Sequence, residues 1–169
     1  MAIKKKYTNK ELEEWFSSKA RTAAGWRRTL LKDDTRSRDN TVIGRMFFFS
    51  YDPKLKDILP IYDRYPLVFP IEKYPNGFLG LNIHYLTFDQ RIYLLGLLSE
   101  YANNKNITQS TRLRLSYMTL QESKKLANTS RPCIKRYLFD HVRSKFIEVK
   151  PDEWDKACQL PLELFVRKN

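Results

Sequence analysis

The sequence predicts an α+β fold: a small antiparallel β-meander over about residues 43–86, packed with C-terminal helices and preceded by a basic helical arm. Three observations carry this prediction. Apolar residues recur at helical spacing, behind capping residues, before about residue 43 and after residue 86 but not between. The middle is rich in aromatics and turn formers instead, with prolines at 53, 60, 66 and 70 and an Asn76-Gly77 pair. A length of 169 residues with 42% hydrophobic and 14% aromatic side chains is enough for one domain core.

The elements follow in order. In "TNKELEEWF", Thr8 and Glu11 stand in capping-box positions, and Leu12, Trp15 and Phe16 supply an apolar stripe. "KDDTRSRDNT", residues 32–41, has no apolar side chain beyond threonine methyls and reads as a linker. Residues 1–41 are thus expected to form a basic N-terminal arm, and residues 42–169 a single α+β domain. "IGRMFFFSY" reads as a strand by its aromatic content, although it is too apolar to alternate. "YDPKLKD" reads as a turn, with Pro53 setting φ and Asp52 bonding the backbone beyond it. "YPLVFPI" reads as a second strand bounded by Pro66 and Pro70, which suits a sheet edge. Asn76-Gly77 is a hairpin pair. "FLGLNIHYL" alternates, with Leu79, Leu81, Ile83 and Tyr85 on one face and Gly80, Asn82 and His84 on a half-exposed other face.

Beyond it the pattern turns helical. Thr87 and Gln90 form a second capping box ahead of Phe88, Ile92, Leu95, Leu98 and Tyr101. "MTLQESKKLAN" reads as a short helix. "SRPCIKRYLFDHVRSKF" reads as a helix with Pro132 in its first turn and Ile134, Leu138 and Val142 along one side. "KPDEWDKA" repeats the proline-first start at Pro151.

Charge is the strongest compositional signal. Lys and Arg total 31 against 19 Asp and Glu, a net charge of +12. Residues 1–45 hold 12 basic and 6 acidic side chains, and residues 105–149 hold 10 and 3, whereas residues 46–104 hold 5 and 6. Two basic blocks therefore flank a neutral centre, a distribution that attracts polyanions by counterion release. The basic residues interleaved with aromatics and apolar stripes are the candidate nucleic-acid contacts. Arg27 and Arg28 lie beside Trp26, and Arg112 and Arg114 point the same way if "RLRLSY" is extended. Arg131, Lys135, Arg136 and Arg143 lie on the helix expected over residues 131–145. Trp15 and Trp26 in the arm are the candidate anchors for a protein partner.

Enzyme signatures are weaker. Asp52, Asp57 and Asp63 have no neighbouring Glu or His to complete a metal set and are read as turn residues. Glu148 and Lys150 form an E-x-K behind Asp140, the one handle for a metal-dependent nuclease. His141 is expected in the core. Two cysteines, 133 and 158, and two histidines offer neither a disulfide framework nor a zinc site. There is no glycine-rich phosphate loop, no secretory h-region and no apolar run long enough to span a bilayer. No cofactor, no membrane partner and no catalytic residue is expected.

As strings, "GRMFFFSYDPKLKDILPIYDRYPLVFPIE", "GFLGLNIHYL" and "RPCIKRYLFDHVRSKFIEVKPDEWDKACQLPLELFV" resemble a small conserved virion-assembly protein of T-even-type myophages, the DNA end protector family. The resemblance spans nearly all of residues 44–166 and carries no residue-by-residue match of functional groups. It implies a non-enzymatic protein that binds duplex DNA or DNA ends through sequence-independent phosphate contacts and occludes them during head completion. Other phage structural proteins are the implied partners, and the virion, with the host cytoplasm during assembly, is the implied location. The alternatives are a baseplate or neck component whose arm docks on a neighbouring subunit, and a metal-dependent nuclease.

Overall fold

The computed structural model describes residues 5–24, 43–108, 111–112, 114–116, 118–119, 122, 133–161 and 166–168. The first element forms as its capping residues predict. Thr8 N–H donates to Glu11 Oε2 at 2.8 Å, and Glu11 N–H donates to Thr8 Oγ1 at 3.3 Å. This satisfies two of the amides that a helix start leaves open. Helix α1 (Asn9–Ala24) follows and buries Leu12, Trp15 and Ala23 in the main core. The linker expected at residues 32–41 lies outside the described residues.

Among the described residues the short strands are β1 (Met46–Phe48), β2 (Ile61–Asp63), β3 (Leu67–Tyr74), β4 (Gly77–Asn82), β5 (Ile134–Leu138), β6 (Ile147–Val149) and β7 (Val166–Lys168). Five of them make an antiparallel sheet in the order β5-β4-β3-β1-β6, and β2 pairs with β7 separately. The α+β class and the antiparallel pairing of the central strands agree with the sequence.

The triple phenylalanine now has a physical reason. Met46 and Phe48 enter the larger core with Leu67, Phe69, Ile71 and Leu81, together with residues of the helices. Phe47 and Phe49 face the other way, into a second cluster with Tyr51, Val68, Phe78 and Tyr137. Successive side chains of a strand alternate in direction, so a strand covered on both faces must be apolar at every position. In the second cluster Phe49 packs edge-on against Tyr137 at 5.4 Å and lies 4.8 Å from Phe146.

Four local expectations are corrected. Pro70 does not end an edge strand: β3 runs through it and is the middle strand of the sheet. The sheet accommodates the proline because β1 pairs with β3 only at Leu67 and Val68, and the β3–β4 register shifts between Pro70 and Glu72. The hairpin turn is Pro75-Asn76, and Gly77 opens β4. Glycine is required there because a Cβ would lie 1.9 Å from the Tyr137 carbonyl oxygen of β5. The segment expected as a helix over residues 131–145 is strand β5 followed by a 3₁₀ turn at Phe139–His141. Ile134, Leu138 and Val142 have helical spacing, yet pairing with β4 satisfies both strands' backbones and buries Tyr137 against Phe78. Within "RLRLSY", residues 112 and 114–116 are helical rather than extended.

Helix α2 (Phe88–Asn103) carries the predicted Thr87–Gln90 capping box. Leu94, Leu95 and Leu98 are buried, while Phe88 is 48% exposed and is not part of the core stripe. Arg91 is buried instead. Its Nε donates to the Ile83 and Leu86 carbonyls, and its Nη1 donates to those of Cys158 and Leu160. A buried guanidinium needs such partners, and here it ties the end of the meander to the C-terminal helix. That helix, α3 (Trp154–Gln159), starts behind a 3₁₀ turn led by Pro151, as the proline-first pattern predicts. Among the described residues no helix is long and apolar enough to cross a membrane.

Candidate nucleic-acid interface

The predicted contact residues divide into three sets. Arg27, Arg28 and Arg131, with Trp26, lie outside the described residues. Arg112 is half-buried and its Nε donates to the Ile107 carbonyl at 3.0 Å. Arg114, two residues on, is exposed and also helical. Residues two apart on a helix do not share a face, so the two do not make a parallel pair. Lys135, Arg136 and Arg143 are the set that the sheet positions.

Because β5 is a strand, it separates Lys135 from Arg136. Arg136 pairs across from Leu79, lies over the Tyr74 ring at 3.8 Å and donates to Asn76 Oδ1 at 2.6 Å. Lys135 pairs across from Gly80 and shares its face with Tyr137. Its ammonium lies over the Tyr85 ring at 4.6 Å, and burial pushes its pKa down. Trp15 is not presented to a partner among the described residues. It is 8% exposed, and its Nε1 donates to Glu153 at 3.0 Å. Glu153 also pairs with Lys19 at 2.7 Å.

Two clefts adjoin at Tyr51, which lines both. One, of about 320 Å³, is polar and bordered by Lys56, Arg64 and Arg143 with Asp52. Asp52 accepts from Lys56 at 2.9 Å and lies 3.8 Å from Arg143 Nη2. The Lys56 ammonium holds its carboxyl below the usual carboxylate range. The other cleft, of about 280 Å³, is walled by Tyr51, Tyr62, Tyr85 and Tyr137, with Lys54 and Lys135 among its lining residues. Lys54, Lys56 and Arg64 come from the neutral centre, outside both basic blocks. Their only sequence signal was their position in a turn-rich stretch, where a side chain is placed at the surface.

The aspartates of that stretch also separate. Asp57 is exposed and Asp52 half-exposed at a turn, as expected. Asp63 makes the expected turn bond, accepting from Tyr65 N–H at 2.9 Å, but it is also 4% exposed and accepts from Asn82 Nδ2 at 3.0 Å, with His84 Nδ1 at 2.6 Å. His84 and Asn82, expected on a half-exposed face, are fully buried. His141, expected in the core, is half-buried, with Nδ1 2.8 Å from the Asp52 carbonyl oxygen.

The nuclease residues do not converge. Glu148 lies on β6 and pairs with Arg45 at 3.2 Å, whereas Asp140 is exposed in the 3₁₀ turn. Among the described residues no group of three or more His, Cys, Asp or Glu could hold a metal ion. Burial pushes both thiols, Cys133 and Cys158, up to about 11.

The basic clefts fit what comparison with known families returns. A family described as the phage T4 terminal DNA protecting protein matches residues 2–169, almost the whole chain. The chain belongs to that family. The resemblance seen over residues 44–166 thus extends over the N-terminal basic block as well, and the family description is one of bacteriophage DNA-end protection. Neither a curated protein nor a solved structure matches the chain.

Proposed function

We propose that the protein protects DNA ends by occupying them: it binds the duplex terminus through sequence-independent phosphate contacts and blocks access without cleaving. One observation carries this reading beyond the family description. Lys56, Arg64 and Arg143, from three separate segments, border one polar cleft, and Lys54 and Lys135 line the cleft beside it. Converging cations of this kind serve the phosphate backbone, which supplies affinity but no sequence information. Asp52 lies between two of these cations, accepting from Lys56 at 2.9 Å and approaching Arg143 at 3.8 Å. The place of action in this reading is the packaged end in the virion.

The test is linear DNA challenged with an exonuclease in the presence of the protein, with binding to circular DNA as the control. Protection of linear DNA and weaker binding to circular DNA are expected. The triple variant Lys56→Gln/Arg64→Gln/Arg143→Gln removes up to three phosphate contacts. It should flatten the log–log salt dependence of binding by about 2 to 3 units. An unchanged slope would place the phosphate contacts elsewhere, and cleavage of the DNA by the protein itself would refute occlusion.

A structural role in the virion has its own observation. Ile58 is 75% exposed and Tyr93 58% exposed, side chains of the kind that anchor protein interfaces. Copy number in purified virions separates the two, with few copies expected for an end-bound protein and a symmetric multiple for a baseplate or neck component.

A further inference from the structure

The tyrosine-walled cleft differs from its polar neighbour in a way that phosphate binding does not explain. Its lining is mostly apolar, with Tyr51, Tyr62, Tyr85 and Tyr137 around about 280 Å³. That volume is near the lower end of the roughly 300–1,000 Å³ typical of small-ligand sites. Lys135 is half-buried beside it and has no carboxylate partner among the described residues. The one acid in the lining, Asp63, is held by Asn82, His84 and the Tyr65 amide. A partly desolvated cation above aromatic walls asks for an anion attached to a flat apolar group.

The polar atoms of the lining agree. The Tyr51 hydroxyl accepts from Leu138 N–H at 3.1 Å, and the Tyr137 hydroxyl accepts from Asn82 Nδ2 at 3.1 Å. Burial raises the pKa of both phenols, so each keeps a proton to donate. Every nucleobase carries acceptors on its edge, and aromatic side chains stack on bases whatever the sequence.

We propose that this cleft takes one unpaired terminal nucleotide of DNA, with its base among the tyrosines and its phosphate at Lys135 and Lys54. The proposal rests on the DNA-end reading above and deepens it: the end is recognised by a base that a continuous duplex cannot offer. Internal duplex keeps its bases paired and stacked, so the cleft excludes it on steric grounds. The polar cleft across Tyr51 then holds phosphates further along the strand.

The experiment compares binding of blunt duplexes with duplexes carrying a two-nucleotide 5′ or 3′ overhang, with 2-aminopurine at the terminal position. Two variants accompany the native chain. Leu55→Trp fills the cleft from a lining residue that is 52% exposed, and Tyr62→Ala removes a half-buried wall. One stacked base predicts binding to one overhang polarity at least fivefold tighter than to a blunt end, with a change in 2-aminopurine fluorescence. Both should vanish in the two variants while blunt-end binding persists. Equal affinity for blunt and overhanging ends, unchanged in Leu55→Trp, would overturn the proposal and leave end protection standing. No preference for linear over circular DNA would overturn the end-binding reading and this one together. Normal DNA binding by Leu55→Trp combined with failure to enter virions would assign the cleft to a protein partner instead.

Discussion

Replacing Asp63 with alanine is the most discriminating test of the structure, because the sequence casts this residue as one of three equivalent turn aspartates. The carboxylate receives the Tyr65 amide, the Asn82 amide nitrogen and the His84 ring at 2.9, 3.0 and 2.6 Å. Removing it leaves three donors without their acceptor, and each such loss in a buried site costs about 1–3 kcal/mol. Asp63 borders the tyrosine-walled cleft, so water can reach part of the space, and the Tyr65 amide is only part-buried. The total therefore falls near the low end, roughly 3–4 kcal/mol, comparable to breaking a buried ion pair. At a urea slope of about 2 kcal/mol/M this lowers the unfolding midpoint by roughly 1.5–2 M. Asp57→Ala is the exposed control, expected within about 0.5 kcal/mol of the native chain. Asp52→Ala removes a half-exposed pair with Lys56 and should cost at most about 1 kcal/mol. If all three variants fall within 1 kcal/mol of one another, Asp63 does no more than bond its turn and the buried cluster is refuted.

Three further outcomes are expected. Gly77→Ala places a Cβ against the Tyr137 carbonyl, so β4 and β5 must part locally, and thermal unfolding should show a loss of roughly 2 kcal/mol or more. A loss below 0.5 kcal/mol would contradict that strand register. The Glu11 carboxyl is lowered to about 2, chiefly by its bond to the Thr8 amide, with Lys5 adding to it. A depressed acid contributes stability above its ordinary pKa that is lost as pH falls through the folded value, so α1 should loosen between about pH 4.5 and 2. Helical signal lost equally in Glu11→Gln across that window would refute this. Both thiols are buried with pKa values pushed up to about 11, so a thiol reagent at pH 8 should label neither cysteine until denaturant is added. Rapid labelling of the native chain would show that one of them is accessible.

Legibility in the sequence followed the reach of each interaction. Both capping boxes were legible because each closes over three residues, Thr8 with Glu11 and Thr87 with Gln90. The proline-first start at Pro151 was legible for the same reason. Strand β5 was not. Ile134, Leu138 and Val142 fit a helix as well as any local rule requires, and the open edge of β4 overrode that pattern. The candidate site was half legible. Arg143 and Lys135 stood out by charge, but Lys54, Lys56 and Arg64 were hidden because they balance acids nearby in the chain, and charge summed along a sequence ignores where side chains meet.

The sequence by itself determined the α+β class, the antiparallel central strands, the helix starts and the basic character that suits a polyanion. Those properties rest on composition and on contacts between near neighbours, and they survive whatever the chain does at long range. Only the tertiary structure decided which aspartate is buried and that Arg136 turns away from Lys135. It also decided that a turn from the neutral centre joins Arg143 around Tyr51. Each of these depends on pairing between strands far apart in sequence, where a shift of one residue would send every side chain to the opposite face.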